Sequence, residues 1–183
     1  MMKWLLWLVS GVLLGGIVHL VTVLWLPRTA TQDAYSRLAA VTPVNTVVTL
    51  PDPSPDRSVL PYMDPAFATA VCRYDLSKGP LQLAVSVSQA YTSMSFYTRY
   101  GQAYYAINDR AAGRRVIQLE LMTEQQHNDM PEEEDVTTAD RLIVESPTET
   151  GIILMKALAP EPGLMQMARD VLASGRCRPQ PES

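Results

Sequence analysis

The 183-residue sequence has few of the side chains from which active sites are built. It contains two histidines, His19 and His127, and no GxSxG, HExxH, GxGxxG or phosphate-binding loop pattern. Because His19 falls within an apolar run, a histidine-based metal site is excluded, and a nucleophilic triad would have to depend on His127 alone. We therefore predict no catalytic residues, no metal ligands and no cofactor.

Positive charge is also scarce. Lysine and arginine together number 15 against 19 aspartates and glutamates, which gives a formal net charge of −4. A chain with this balance has no basic field that would attract a polyanion. Nucleic acid is therefore not expected as a partner, and attraction to anionic lipid headgroups is not favoured.

The two cysteines, Cys72 and Cys177, are far apart in the sequence, and neither belongs to a CxxC pair. A zinc knuckle or a thioredoxin-like redox site has no support from this spacing. In an oxidising compartment an even number of cysteines suggests one disulfide, whereas the alternative is two unrelated thiols. The sequence leaves both open, because it does not give the distance between the two Cα atoms.

A long hydrophobic run dominates the start of the chain. Trp4–Leu26 has only Ser10, His19 and Thr22 as non-apolar side chains, and as a helix it would span roughly 35 Å. That length is enough to cross the hydrocarbon core of a bilayer. We predict that residues 1–27 form a transmembrane signal anchor.

A cleavable signal peptide is the alternative, since Lys3 gives a short positive region before the apolar run. The run is longer than the apolar region of a signal peptide, and Arg28 stands where a small residue would be needed for cleavage. An uncleaved anchor is therefore favoured. Because long C-terminal domains translocate largely regardless of flanking charge, we expect a single-pass protein of the bacterial inner membrane with a periplasmic domain.

Two glycines in the apolar run, Gly11 and Gly15, form a GxxxG pair. Such a pair lets two membrane helices approach closely, so the sequence suggests a homodimer packed through this face. The alternative is that membrane helices are simply rich in glycine.

The rest of the chain divides into three parts by composition. Residues 28–63 combine a helix-forming segment, Thr31–Val41, with a proline-rich stretch that reads as an extended connector, in which Val44–Leu50 is a candidate edge strand. Residues 64–178 have the alternation of a folded domain, and residues 179–183 form a tail.

Within the domain, alternating apolar positions predict strands and 3.6-residue periodicity predicts helices. The predicted strands are Leu81–Val87, Ala90–Arg99, Ala103–Asn108, Arg115–Met122, Leu142–Glu145 and Gly151–Leu158. The predicted helices are Pro65–Arg73, a short one that begins at a Thr123–Gln126 capping box, and Pro162–Ser174. The first four strands are joined by short turns and are expected to form an antiparallel meander. The fold class is α+β, an antiparallel sheet with flanking helices after the transmembrane helix.

Aromatic and polar side chains crowd the segment from Tyr91 to Arg115. Tyrosine offers a large rigid contact with one polar tip, so this part of the sheet is a candidate surface for a small molecule, a glycan or a protein. The alternative is that tyrosine simply suits strand positions. The candidate binding residues are Tyr91, Tyr97, Arg99, Tyr105 and Asp109.

Three short motifs give the domain a family resemblance: a turn at Asp75–Pro80 (DLSKGP), a strand start at Ala90–Thr92 (AYT) and a turn at Ser146–Thr150 (SPTET). With these, Asp64–Ala159 resembles the bacterial family catalogued as domain of unknown function 1254. The short form with one N-terminal span is similar to the membrane-anchored alpha-proteobacterial members of that family.

The resemblance implies a partner rather than a reaction. Larger relatives join this domain to a second one, catalogued as domain of unknown function 1214, so the resemblance implies a separately encoded partner of that type. It supplies no catalytic residues to carry over. We therefore expect a membrane-tethered, non-enzymatic envelope protein that binds its partner through the Tyr91–Arg115 sheet. The alternative is one half of a two-component hydrolase or small-ligand enzyme, with Tyr91, Arg99, Tyr105 and Asp109 lining a shared pocket.

Overall fold

The computed structural model of the protein describes residues 2–29, 33–54, 58–113, 115–130 and 142–180. The chain divides into two compact units, Met1–Asp33 and Ala34–Ser183. The first unit contains one long helix, and the second is a folded domain with its own core.

The first unit is built on α1, which runs from Met2 to Thr29. Its segment Met2–Leu26 is long and apolar enough to cross a membrane, and length and composition fit both an anchor and a signal sequence. A Cβ atom added to Gly11 or Gly15 would meet nothing within 4 Å. Both glycines therefore lie on open surface of the helix.

The second unit is an α+β domain with the elements in the following order. They are α2 (Ala34–Ala39), β1 (Val47–Thr49), β2 (Phe67–Asp75), β3 (Leu81–Ser86), β4 (Thr92–Thr98), β5 (Ala103–Asn108), α3 (Asp109–Ala112), β6 (Val116–Thr123), α4 (Glu124–Asn128), β7 (Leu142–Ser146), β8 (Thr150–Leu158), a 3-10 turn (Pro162–Leu164), α5 (Met165–Ala173) and β9 (Arg176–Pro179).

The described strands form two sheets. The first sheet has the order β1-β2-β8-β4-β5, and the second has the order β7-β6-β3-β9. Neighbouring strands are antiparallel except β6 and β7, which are parallel. Side chains from both sheets share one buried core, in which Leu83 and Leu119 of the second sheet join Phe96 and Ile153 of the first. The alternation of buried and part-exposed residues along β3 and β4 gives each strand one face toward this core.

The predicted meander of four strands is wrong. β3 belongs to the second sheet and β4 to the first, so the chain crosses between the sheets at residues 87–91. A hydrogen-bonded turn makes the crossing, in which the Ser88 amide donates to Thr92 Oγ1 (2.7 Å) and the Ser88 hydroxyl to the Tyr91 carbonyl (3.0 Å). Alternation along a strand specifies which face is buried, but it does not specify which strand lies beside it.

The predicted helix at Pro65–Arg73 is also wrong, because this segment enters β2. The strand pairs with β1 on one side and β8 on the other, and residues 68–72 are all buried. A strand covered on both faces does not alternate, so its apolar run has no period of two. Asp64 does accept a hydrogen bond from the Ala66 amide (2.9 Å), but the resulting turn leads into a strand.

The segment predicted as a helix followed by a proline-rich connector packs against the domain where the structure describes it, and Val59, Leu60 and Met63 of the connector contact the same cluster as α2. On α2, Tyr35 and Leu38 are buried against the outer face of the first sheet, together with Leu50, Val71 and Ile152. Residues 34–50 therefore belong to the domain. The start of the predicted Thr31–Val41 helix lies outside the described residues. The edge strand predicted within residues 44–50 is confirmed, since β1 forms the edge of the first sheet.

Several local predictions are confirmed. β4 and β5 form a hairpin whose loop contains Gly101 at φ 80°, and Thr123 and Gln126 form the capping box of α4. The C-terminal helix is present as the 3-10 turn and α5. Its buried residues are Ala168 and Leu172. The predicted tail at residues 179–183 starts too early, because Pro179 is the last residue of β9.

Cys72 and Cys177 form a disulfide in the structure, with their Cα atoms 6.5 Å apart. Both residues lie in the core that the two sheets share. The bond joins β2, in the first sheet, to β9, which forms one edge of the second. It therefore links the two sheets covalently.

Candidate functional site

The candidate binding residues Tyr97 and Arg99 lie near the end of β4, on the side of the first sheet that α2 covers. Tyr97 packs against the cluster that contains Tyr35 and Leu38. The Arg99 guanidinium lies 5.2 Å from the centre of the Tyr35 ring, and the Arg73 guanidinium lies 4.3 Å from it. Both are cation–π contacts, and they hold α2 against the sheet. Tyr97 and Arg99 therefore have a structural role in packing α2.

The other three candidates lie elsewhere. Tyr91 precedes β4 at its opposite end and packs edge-on against Phe67, with ring centroids 6.3 Å apart. Tyr105 lies on β5, and its ring is 5.7 Å from the ring of Phe96. Asp109 is the first residue of α3, and its Oδ1 atom is buried without a hydrogen-bond partner among the described residues. The structure does not bring the five candidates into one site.

Tyr105 does line a surface groove, which lies between β5 and α3 on one side and β6 and β7 on the other. The groove has a volume of about 540 Å³. Its walls include Val116 and Leu142, which are 41% and 37% exposed, and Arg115 contributes a positive charge. The remaining lining residues are Ile107, Ala111, Ala112, Ile117 and Gln118. We call this the β5–β7 groove.

A second concavity lies on the outer face of the second sheet, with a volume of about 350 Å³. Its floor contains Ala84, a small residue between larger neighbours. The polar side chains that line it are Gln82, Ser86, Gln118, Ser174, Arg176 and Arg178. We call this the arginine face. No sequence pattern predicts this face, because its residues come from separate strands and β9 falls where the sequence indicates the end of the domain and a tail.

Two of the three motifs, the DLSKGP and SPTET turns, meet at one end of the domain, where the chain crosses between the sheets, whereas AYT lies at the other end of β4. The DLSKGP turn leads from β2 to β3, and the SPTET turn leads from β7 to β8. The Leu76 amide donates to the Glu149 carbonyl (2.9 Å), and Gln126 Nε2 donates to the Leu76 carbonyl (2.7 Å). Within the first turn, hydrogen bonds from the Ser77 hydroxyl and then the Ser77 amide lower the pKa of Asp75. The motifs therefore build a structural junction.

A chain of hydroxyl groups lies beside this junction. Ser146 Oγ donates its one proton to the Thr148 carbonyl (2.6 Å). In its contact with the Tyr74 hydroxyl (2.9 Å), Ser146 Oγ is therefore the acceptor. The Tyr74 hydroxyl in turn accepts a hydrogen bond from the Tyr104 hydroxyl (3.2 Å). A bulge in the β4–β5 pairing, after Phe96, lets Tyr104 as well as Tyr105 pack against the core. Burial, and then the proximity of Tyr74, raise the pKa of Tyr104 well above its ordinary value. Tyr104 therefore keeps its proton, which it donates to the Tyr74 hydroxyl.

The raised pKa of Tyr104 predicts a specific loss of stability at alkaline pH. The folded protein holds this proton more tightly than the unfolded chain, so the stabilisation is complete below pH about 10 and decreases as the pH rises further. Chemical denaturation at pH about 8 and about 11 should show a smaller loss of unfolding free energy for Tyr104→Phe than for the natural protein. Tyr100→Phe, in the exposed hairpin loop, is the control. Equal losses in the natural protein and Tyr104→Phe would contradict the assignment.

His127, the histidine outside the apolar run, is engaged by a carboxylate. Its Nδ1 lies 2.7 Å from Glu145 Oε1, and both side chains are partly exposed. Among residues 2–29, 33–54, 58–113, 115–130 and 142–180, no group of three or more His, Cys, Asp or Glu side chains could hold a metal ion. The geometry around His127 is that of a surface ion pair.

The structure thus defines a two-sheet α+β domain that follows an apolar helix of membrane-spanning length. The chain belongs to the family described as "Protein of unknown function (DUF1254)", whose family model matches residues 44–179. The match begins before β1 and ends at the last residue of β9. No curated protein matches the chain significantly.

A solved structure shares the fold at low sequence identity. The VPA0106 protein from Vibrio parahaemolyticus matches with a TM-score of 0.57 and 12% identity, covering 80% of this chain and 34% of its own. An uncharacterized protein from Burkholderia cenocepacia matches with a TM-score of 0.44 and 13% identity, covering 65% of this chain and 33% of its own. The chain therefore spans about a third of the length of either protein.

Proposed function

We propose that this protein is a membrane-anchored, non-enzymatic binding module whose domain docks a partner protein in the β5–β7 groove. The observation that carries the proposal is the combination, in one concavity, of exposed apolar side chains and a strand that forms the edge of the first sheet among the described residues. Val116 and Leu142 present apolar surface there, and β5 is the last strand of the first sheet. Surfaces of this kind are typical of contacts between domains.

The proposed occupant is a domain rather than a small ligand. The groove is an open surface concavity, and among its described lining residues the charged one is Arg115, which lies beside apolar walls. Members of this fold also occur as a third of a longer chain, as in the Vibrio parahaemolyticus protein. We propose a partner of the type catalogued as domain of unknown function 1214, carried on a separate chain in the single-span form of the family.

The proposed location is the bacterial inner membrane, with α1 as an uncleaved single-pass anchor and the domain in the periplasm. The length of α1 supports the anchor, and a disulfide between β2 and β9 favours an oxidising compartment. Close packing through Gly11 and Gly15 would give a homodimer in the membrane, which is compatible with a partner bound by the domain.

Site-specific photocrosslinking in native membranes tests the groove. A photoreactive amino acid at Ala111, inside the groove, should give an adduct with one protein, which mass spectrometry identifies. The double substitution Val116→Asp and Leu142→Asp should abolish that adduct, because it places two charges in an apolar contact. Met167→Asp is the control for an added charge, since Met167 is 49% exposed on α5.

Two results would contradict the proposal. One is the absence of an adduct at Ala111, and the other is an adduct that survives the groove substitutions. Unfolding curves of the variants establish that the domain remains folded, which is expected because Val116 and Leu142 are exposed.

A further inference from the structure

The arginine face is a separate surface whose chemistry differs from that of the β5–β7 groove. Val116 and Gln118 line both concavities, but Arg176, Arg178, Gln82 and the Ala84 floor belong to the arginine face alone. Leu83 and Val85 also line it, but both are buried on the core face of β3, and apart from Val116 its exposed and half-buried side chains are polar or small. It is therefore suited to a polar ligand.

The fold holds the two arginines at a fixed spacing. Arg176 and Arg178 alternate along β9 with Cys177, which points into the core and bonds to Cys72. Alternate residues of a strand project from the same face, about 7 Å apart. The pairing of β9 with β3 places Arg178 beside Gln82 and Arg176 beside Ala84. The disulfide thus anchors the short strand that carries both positive charges.

Among the described residues, no ion pair engages Arg176 or Arg178. The described ion pairs join His127 to Glu145 and Arg169 to Asp52, and neither involves the arginine face. Glu120 occupies the outward row of β6, but it is 5% exposed and has an interaction of its own. Two exposed guanidinium groups in a net acidic chain favour a ligand with acidic groups, which arginine binds through paired hydrogen bonds.

The neutral part of the arginine face adds a second requirement. Gln82, Gln118 and Ser86 can both donate and accept hydrogen bonds. A phosphate or carboxylate group at neutral pH only accepts, so it would leave the acceptor atoms of these side chains unused. Hydroxyl groups on a ligand can take both roles. The ligand that fits should therefore carry acidic groups and hydroxyl groups together.

Strand addition at the edge of β9 is a poor fit. The Gln180 amide donates a hydrogen bond to the Pro80 carbonyl of the neighbouring chain segment (3.0 Å). In an antiparallel pair the residues alternate in the direction of their backbone N–H and C=O groups, so those of residues 176 and 178 also face β3, and those of residues 177 and 179 face the open edge. Pro179 has no N–H to offer there. A peptide strand added at this edge could not form a complete set of backbone hydrogen bonds. A ligand is therefore expected to bind on the face of the sheet and not at its edge.

From these observations we propose that the arginine face binds an oligosaccharide that carries carboxylate groups. The carboxylates pair with Arg176 and Arg178, and the sugar hydroxyls exchange hydrogen bonds with Gln82, Gln118 and Ser86 over the Ala84 floor. A volume of about 350 Å³ accommodates one or two sugar units at a time, with the rest of the chain extending into solvent.

Isothermal titration calorimetry of the full chain tests the proposal, in a neutral polyoxyethylene detergent that contains no sugar. The probes are a galacturonate trimer, maltotriose as the uncharged trimer and tripolyphosphate as an anion without hydroxyl groups. We expect the galacturonate trimer to bind and the other two to bind at least roughly tenfold more weakly. Failure of the galacturonate trimer to bind, or equal binding of tripolyphosphate, would overturn the proposal.

Two kinds of variant locate the binding. Arg176→Gln with Arg178→Gln removes the charges, and Ala84→Leu fills the floor without changing charge; each should weaken galacturonate binding roughly tenfold or more. Arg37→Gln with Arg110→Gln makes the same change of charge at exposed positions on α2 and α3. Loss of binding in this control, or unchanged binding in both arginine-face variants, would contradict the proposed location.

Discussion

Replacing Gly151 with alanine is expected to destabilise the domain by roughly 3 kcal/mol, at the upper end of the usual cost of overpacking. Gly151 lies on β8, directly opposite Tyr74 of β2. A Cβ atom at this position would approach the Tyr74 hydroxyl and the Tyr97 carbonyl oxygen more closely than 3.0 Å. One of these contacts is with backbone, and the other is with a fully buried ring that is held by Ser146 and Tyr104.

The result is checked by chemical denaturation of the natural protein and the variant. Gly163→Ala is a matched control, because a Cβ atom at Gly163 would meet nothing within 4 Å. We expect the control to change the unfolding free energy by less than about 1 kcal/mol. Similar unfolding free energies for Gly151→Ala and the natural protein would show that the junction of Tyr74, Ser146 and Gly151 is not packed as described.

Removing the Cys72–Cys177 disulfide is expected to cost about 4–5 kcal/mol in unfolding free energy. The bond closes a loop of 105 residues, and loops of that length give a stabilisation of this order in the chain-entropy model. The double substitution Cys72→Ala and Cys177→Ala avoids placing new polar groups in the core. Denaturant unfolding of this variant, compared with the natural protein under oxidising conditions, measures the loss.

The control is reductant. It should lower the stability of the natural protein and leave the double variant unchanged, since only the former contains the bond. If reductant and substitution both leave the unfolding free energy within about 1 kcal/mol of the oxidised natural protein, the bond does not constrain the unfolded chain.

Local chemistry made part of the fold predictable from the sequence. The β4–β5 hairpin follows from two alternating runs joined by a short loop that contains Gly101, and the capping box at Thr123 follows from one side-chain pattern. The edge strand β1 and the C-terminal helix follow in the same way. In each case the residues that determine the structure are neighbours in the sequence.

The errors arose where distant residues decide the structure. β2 is central in its sheet and is buried on both faces, so its sequence lacks the alternation by which a strand is recognised. The assignment of β3 and β4 to different sheets depends on which strands pair, which alternation does not encode. The proline-rich stretch reads as an extended connector because the burial of Leu50 within it depends on Val71 and Ile152, which lie far along the chain.

The candidate site was predictable only in part. Tyr105 does line a groove, but Tyr91 and Tyr97 lie at opposite ends of β4, where Tyr91 packs against Phe67 and Tyr97 against the cluster that contains Tyr35. The hydroxyl chain and the arginine face could not be predicted, since their members come from separate strands. Only for Cys72 and Cys177 did the sequence offer a long-range pairing, as one of two alternatives.

The bond between these cysteines connects stability to the proposed functions. Cys177 lies between Arg176 and Arg178, so the same bond that holds the two sheets together also holds the arginine face. Both cysteines are almost completely buried, with exposures of 0% and 4%. Their thiols, if reduced, would react slowly in the folded protein, and any labelling experiment must unfold the chain first.

The most direct test of the account is the redox state of Cys72 and Cys177 in living cells. Cells are quenched with acid, the protein is denatured, and free thiols are tagged with a polyethylene glycol maleimide before or after reduction. A membrane-anchored periplasmic domain predicts no tag before reduction and two tags after it, with the bridge internal to one chain on a non-reducing gel. Two tags without reduction would show that the domain occupies a reducing compartment, and the proposed location would be wrong.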